Sequence, residues 1–328
     1  MKSKLLIILP VALLLTVASK AQQDETNQPS VARPDSHAPI GVMGDHLHKK
    51  GEFMLSYRFM QMSMKDNREG TNDMDPETIV TTVPNQFFGM PMQPPTLRVV
   101  PTEMTMNMHM FGIMYAPADW ITLMAMLNIV KNKMDHTTYQ GPEGTNVLGT
   151  FTTETSGLGD ARIAALIKLL EKNNHRMHFN AGFSLPTASI TEEDEILTPM
   201  NMRPTIRVPY PMQLGSGTFD FLPGVTYYSR SNNLGWGAQV MGNIRVGEND
   251  EGYSLGDVYQ FTAWGSYRLA PWISTAVRIS NTNWGEIDGI DPEIMGPVQT
   301  AHPDMHGGNR LDGLISCLLY TSPSPRDA

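Results

Sequence analysis

Methionine occupies every second position over Met104, Met106, Met108 and Met110, resumes at Met114, and recurs at Met124, Met126 and Met134. A matching set, Met54, Met60, Met62 and Met64, lies upstream. Sixteen of the 24 methionines fall between Met43 and Met134, so the enrichment is local. Thioethers are soft ligands that select Cu(I) and similar ions. Met106, Met108, Met110, Met124 and Met126 are the residues a soft-metal path would use, with His109 or the pair His46 and His48 as helpers. Methionine is also flexible and apolar, suited to filling an interior or offering an adaptable surface to an apolar solute. His109 alternates out of phase with the methionines beside it, which weakens the metal reading and favours the packing one.

A second set of residues is cationic. Arg58, Arg162, Lys168, Arg245, Arg268 and Arg278 fall in phase with the methionines or their equivalents, and form either an interior cationic stripe or ordinary internal ion pairs. Acids at Glu248–Gly252 and Glu286–Glu293 have the composition of calcium loops without the spacing of an EF-hand, which leaves solvated surface loops as the simpler reading. His178 and Ser184 share one face of one segment, but too far apart along it to act as nucleophile and base, so a lipid hydrolase is a weak alternative. Nothing in the sequence asks for a cofactor.

The elements that carry these residues have a period of two, the signature of strands. Phe53, Leu55, Tyr57 and Phe59 alternate with Met54, Ser56, Arg58 and Met60 in the first. Phe111, Ile113 and Tyr115 oppose the methionines of the second; Leu123, Leu127 and Ile129 oppose Met124, Met126 and Asn128 in the third. Comparable segments are expected at 160–170, 176–185, 218–229, 234–246, 257–269 and 273–279, with a tenth beginning at Asn309. Long connections of roughly 39 (residues 65–103), 23 (residues 135–157), 32, 10 and 29 residues alternate with turns of roughly five or fewer, as in outer-membrane barrels. Each strand is about ten residues, enough to cross a bilayer when tilted. The expected fold is therefore all-β: an antiparallel up-and-down transmembrane β-barrel, about ten strands here and about twelve when closed. A soluble sandwich would alternate in the same way. It would not explain the strict alternation of connections, nor aromatic residues near strand ends at Tyr115, Trp120, Tyr228, Trp236 and Trp272, where a membrane girdle belongs.

The chain begins with Lys2 and Lys4 before an apolar run from Leu5 to Ala18 and a small-residue site ending at Ala21, which reads as a secretory signal peptide over 1–21. Residues 22–50 are polar and aperiodic and read as a flexible N-terminal segment, the barrel following over 51–316. Residues 317–328 resemble a translated sequencing adapter, from which we expect the native chain to continue past Ser316. Cys317, the only cysteine, lies in that tail. The formal charge is −9, and loss of Lys2, Lys4 and Lys20 takes it to −12, which argues against a nucleic-acid partner. The expected partners are the lipid bilayer of the outer membrane and a small-molecule solute.

The segments GVMGDHLHKKGEFMLSYRFMQMSM, MHMFGIMYAPADWITLMAML, SGLGDARIAALIKL, RVPYPMQLGSGTFDFLPGVTY and NTNWGEIDGIDPEI together resemble the outer-membrane β-barrel proteins of the meta-pathway phenol-degradation type, over most of residues 40–312. The resemblance implies an outer-membrane channel or transporter, with aromatic compounds among its solutes and no catalytic residues. The solute path expected from the inward parity of the strands is Met54, Arg58, Met60, Met62, Met106, Met108, Met110, Met114, Met124, Met126, Arg162, Arg245 and Arg268. Whether loops or residues 22–50 plug that path is left open by the sequence.

Overall fold

The structure is a computed structural model and describes residues 38–319. Residues 1–37, which include the expected signal peptide, and residues 320–328 lie outside the described part.

One antiparallel sheet dominates. Its strands are β1 (Phe53–Lys65), β2 (Val99–Ala118), β3 (Ile121–Tyr139), β4 (Val147–Leu158), β5 (Ala161–Lys172), β6 (His175–Leu185), β7 (Phe219–Ser231), β8 (Leu234–Val246), β9 (Val258–Ala270), β10 (Ile273–Trp284) and β11 (Gly308–Leu319). Ten follow one another in the sheet in chain order, β4 alone lying off that path beside β3. The sheet curls into a half-barrel, with β1 and β11 as its two edges among the described residues.

Alternation assigns the faces. On β1, Phe53, Leu55, Tyr57 and Phe59 are exposed on the convex side, while Met54, Arg58, Met60 and Met62 turn inward. On β3, Leu123, Leu127 and Ile129 are exposed, whereas Thr122, Met126, Asn128, Val130 and Asn132 are buried on the concave side. A soluble sandwich would bury the oily face. Here that face is outermost, and the polar and thioether face is enclosed. Among the described residues no helix is long and apolar enough to cross a membrane.

The tight turns share one end of the sheet. Asn173 (φ 55°) and Asn232 (φ 50°) sit in the left-handed region at the centres of two of them, a conformation asparagine tolerates better than most residues. The long connections share the other end. They carry the helix α1 (Pro76–Thr82), capped by Asp75, whose carboxylate accepts from Thr78 N at 2.9 Å.

Three expectations are corrected. The connection placed at 135–157 is largely strand, because β3 runs to Tyr139 and β4 pairs with its outer half. Residues 65–103, expected as one connection, contain α1, a small hairpin over Asn67–Met74 and the start of β2. Tyr228, expected in an aromatic girdle, is 7% exposed on the concave side, in phase with Thr226. Trp120 and Trp272, by contrast, are exposed at 57% and 58% beside the tight turns.

Placing a charge on the convex face tests its lipid assignment. Leu127→Arg should cost about 2–4 kcal/mol of folding free energy in phospholipid vesicles, measured by denaturant titration. A neutral result would mean that this face meets water.

Candidate functional site

The sequence-predicted path residues divide into two groups along the concave face. Between the groups lie residues 38–48, most of the described part of the segment expected to be flexible. This stretch is packed against the wall. His178 Nε2 donates to Gly44 O at 2.8 Å, Gln239 Nε2 to Met43 O at 2.9 Å, and His48 N to Thr122 Oγ1 at 3.0 Å. Ala38 and Val42 sit against Tyr228 and Trp264. Trp264 can lie there because its register partner is Gly237, where a Cβ would come within 2.4 Å of the indole. Arg58 donates to Val42 O at 3.4 Å and to the Met43 sulfur, so its charge is spent on this segment and not on an open stripe. Met54, Met110, Met114, Met124 and Met126 surround Met43 and Gly44, leaving about 20 Å³ of free space.

On the loop side of the segment is a cavity of about 630 Å³. Met62, Met106 and Met108 line one wall, with Met64, Met104, Val130 and Met134. Arg162 and Arg245 line the opposite wall with Asp160, Ser184, Asp220 and Asn243. Thus, of the five candidate soft-metal ligands, Met106 and Met108 face the larger space and Met110, Met124 and Met126 the smaller one. They do not converge on one point. Met104 and Met134 are buried by Val208 and Met212 of the loops, a packing role. Met60 faces Met108 across the β1–β2 pair but lines neither space. Arg268 is held near a tight turn by Asn233 Oδ1 at 2.7 Å, away from the cavity. His109 lies on the convex side, its ring hydrogen-bonded to Tyr57 Oη at 2.8 Å, out of phase with the methionines as expected.

The other candidates find structural partners. Glu251 and Asp291, one from each acid-rich loop, hold Arg207 at 2.5 and 2.8 Å, so these loops are knit by ion pairs. His178 and Ser184 are both buried on β6. Six residues apart, they are about 20 Å distant at the rise of a strand.

Several groupings in the site were not legible beforehand. Arg162 pairs in register with Ser184, Ser184 with Asp220, and Asp220 with Arg245. The four therefore form one row across β5 to β8, which only the strand register creates. Arg98, completely buried, closes the β3–β4 turn by donating to the carbonyls of Gly141 (3.0 Å), Gly144 (2.8 Å) and Gln140 (3.0 Å). Over the cavity, Phe151, Leu197, Tyr210, Tyr253, Ile287 and Ile294 form an apolar lid from strand ends and loops. His306 joins the lid edge-on to Tyr210 and donates to Thr300 O at 3.0 Å.

No family model and no curated protein matches the chain. Among solved structures, the fold is similar to the crystal structure of an outer membrane channel from Pseudomonas putida F1, with a TM-score of 0.53. The match has 12% sequence identity and covers 86% of this chain and 88% of that one, a likeness of fold.

Burial lowers the His306 imidazole pKa, against the raising effects of Thr300 O and Asp304; burial lowers that of His302 likewise. The folded lid therefore binds protons less readily than the open one. Its stability is complete above the ordinary histidine value of about 6.5 and falls as pH drops through it. At matched pH, the rate at which protease cuts residues 285–307 in wild type, taken relative to the His302→Asn, His306→Asn variant, should rise from pH 7.5 to pH 5 as the wild-type histidines are forced to take up protons. A ratio that stays constant over that range would contradict the linkage.

Proposed function

We propose that the protein is an outer-membrane channel for small solutes, including apolar or aromatic ones, whose path runs along the thioether and polar face and is narrowed by residues 38–48. The observation that carries this reading is the inversion of the sheet. Its oily face is outermost, as lipid requires, and its enclosed face contains a cavity of about 630 Å³ between loop lid and inner segment. The fold shared with an outer membrane channel supports it. The methionines act by shape: unbranched side chains line the cavity and let solutes of different outline pass. A hydrolase reading gains nothing from the geometry, since His178 is bonded to Gly44 O and Ser184 lies farther along the strand.

Planar-bilayer recording tests the proposal. The full chain should show small, intermittent conductance, and deletion of residues 38–48 should raise it severalfold by freeing the ring of Met54, Met110, Met114, Met124 and Met126. Silence from both proteins would overturn the channel reading.

A further inference from the structure

The row across β5 to β8 contains two guanidinium groups in unequal circumstances. Arg245 is ion-paired with Asp220, and its Nε is buried without a hydrogen-bond partner. The Arg162 guanidinium has no hydrogen-bonding or ion-pair partner among the described residues, although it lies in the fields of Arg245, Asp160 and Asp220. The nearby carboxylates are already occupied. Asp160 Oδ1 accepts from Thr187 N (3.2 Å) and Ala188 N (3.1 Å), and its Oδ2 from Ser216 N (2.8 Å) and Ser216 Oγ (3.1 Å). Asp220 Oδ1 accepts from Thr218 Oγ1 at 2.7 Å, and its Oδ2 takes Arg245. Two like charges thus face one cavity, one of them with its donors unspent.

Guanidinium is a planar fork that matches a carboxylate with two parallel hydrogen bonds. The wall opposite presents Met106, Met108 and Val130, which offer dispersion contacts and no hydrogen-bond donors. A cavity of about 630 Å³ is of the size that encloses a whole small molecule. Asp66 and Glu103 also line it, at the loop ends of β1 and β2, and Glu103 is held by Lys65 at 3.1 Å. Their charge discourages an anion at that mouth, so the favourable place for one is the row itself.

We infer that the cavity is a binding site for amphiphilic organic monocarboxylates, with the carboxylate on Arg162, flanked by Arg245, and the apolar body against Met106 and Met108. This names a substrate class for the channel and, as physiology, rests on that reading, but binding is measured without flux.

Titration calorimetry on the refolded full chain with benzoate, benzyl alcohol and benzylammonium tests the site. Benzoate should bind saturably and about tenfold more tightly than either of the others, the equivalent of one charge-assisted hydrogen bond. Arg162→Gln should bring benzoate down to the level of benzyl alcohol, and Arg162→Lys should keep part of the preference. Met106→Ser with Met108→Ser should weaken benzoate and benzyl alcohol alike. Equal binding of the three probes, preference for the cation, or unchanged benzoate affinity in Arg162→Gln would overturn the inference. Should Arg162→Gln fail to refold, the wild-type preference and Arg162→Lys decide the matter. Conductance without benzoate preference would sink this site alone, and preference without conductance would sink only the channel reading.

Discussion

A sheet in hydrocarbon has no water to satisfy its peptide groups, so every strand must pair with neighbours and the side chains must sort by parity. That constraint accounts for most of the structure. Phe53, Leu55, Tyr57, Phe111, Leu127, Phe261 and Val277 stand on one face because each lies an even number of residues from its neighbours in the strand, and all are exposed. The opposite parity is then free to be polar. Thr122, Asn128, Asn180, Thr226, Gln239 and Thr262 fill it, all buried. A single-residue slip would exchange the two sets and destroy both solvents' match at once.

The enclosed face is layered, and each layer uses a different interaction. Near the tight turns, residues 38–48 are held by side chains donating to backbone carbonyls, as His178 does to Gly44 and Gln239 to Met43. Such bonds satisfy an irregular segment that has no strand to pair with. In the middle lies the cavity, thioethers on one side and ionic groups on the other. At the loop end, apolar packing around Tyr210 and Tyr253 is combined with the Arg207 ion pairs, which tie three separate loops together. Removing Arg207 would leave the buried Asp291 carboxylate without its cation, a costly arrangement.

The barrel strands and their lipid face were legible in the sequence because parity is a local property. β1, β6 and β8 could be read from alternate residues alone, to within a residue or two at their ends. β4 was not, because it extends the sheet among the loops, where its outer positions Thr150, Thr152 and Glu154 are polar and the oily alternation is missing. Tyr228 was misplaced because Pro223 and Gly224 weaken the alternation of β7 and an aromatic residue near a strand end suits a girdle equally well. The inward direction of Met54, Met106, Arg162 and Arg245 was readable. Their grouping was not, since the row through Ser184 and Asp220 depends on strand register, and the division of the methionines depends on a segment, 38–48, with no periodic signal. The twelve-stranded closure, the signal peptide and the adapter-like tail remain expectations of the sequence.

The central claim is that the oily face meets lipid and the methionine face meets water. Single cysteines at Leu127 and Met108, placed in a Cys317→Ser background, measure it directly when the refolded protein in vesicles is exposed to a charged, membrane-impermeant thiol reagent. The account predicts labelling at position 108 and protection at position 127. Labelling at 127 with protection at 108 would contradict it.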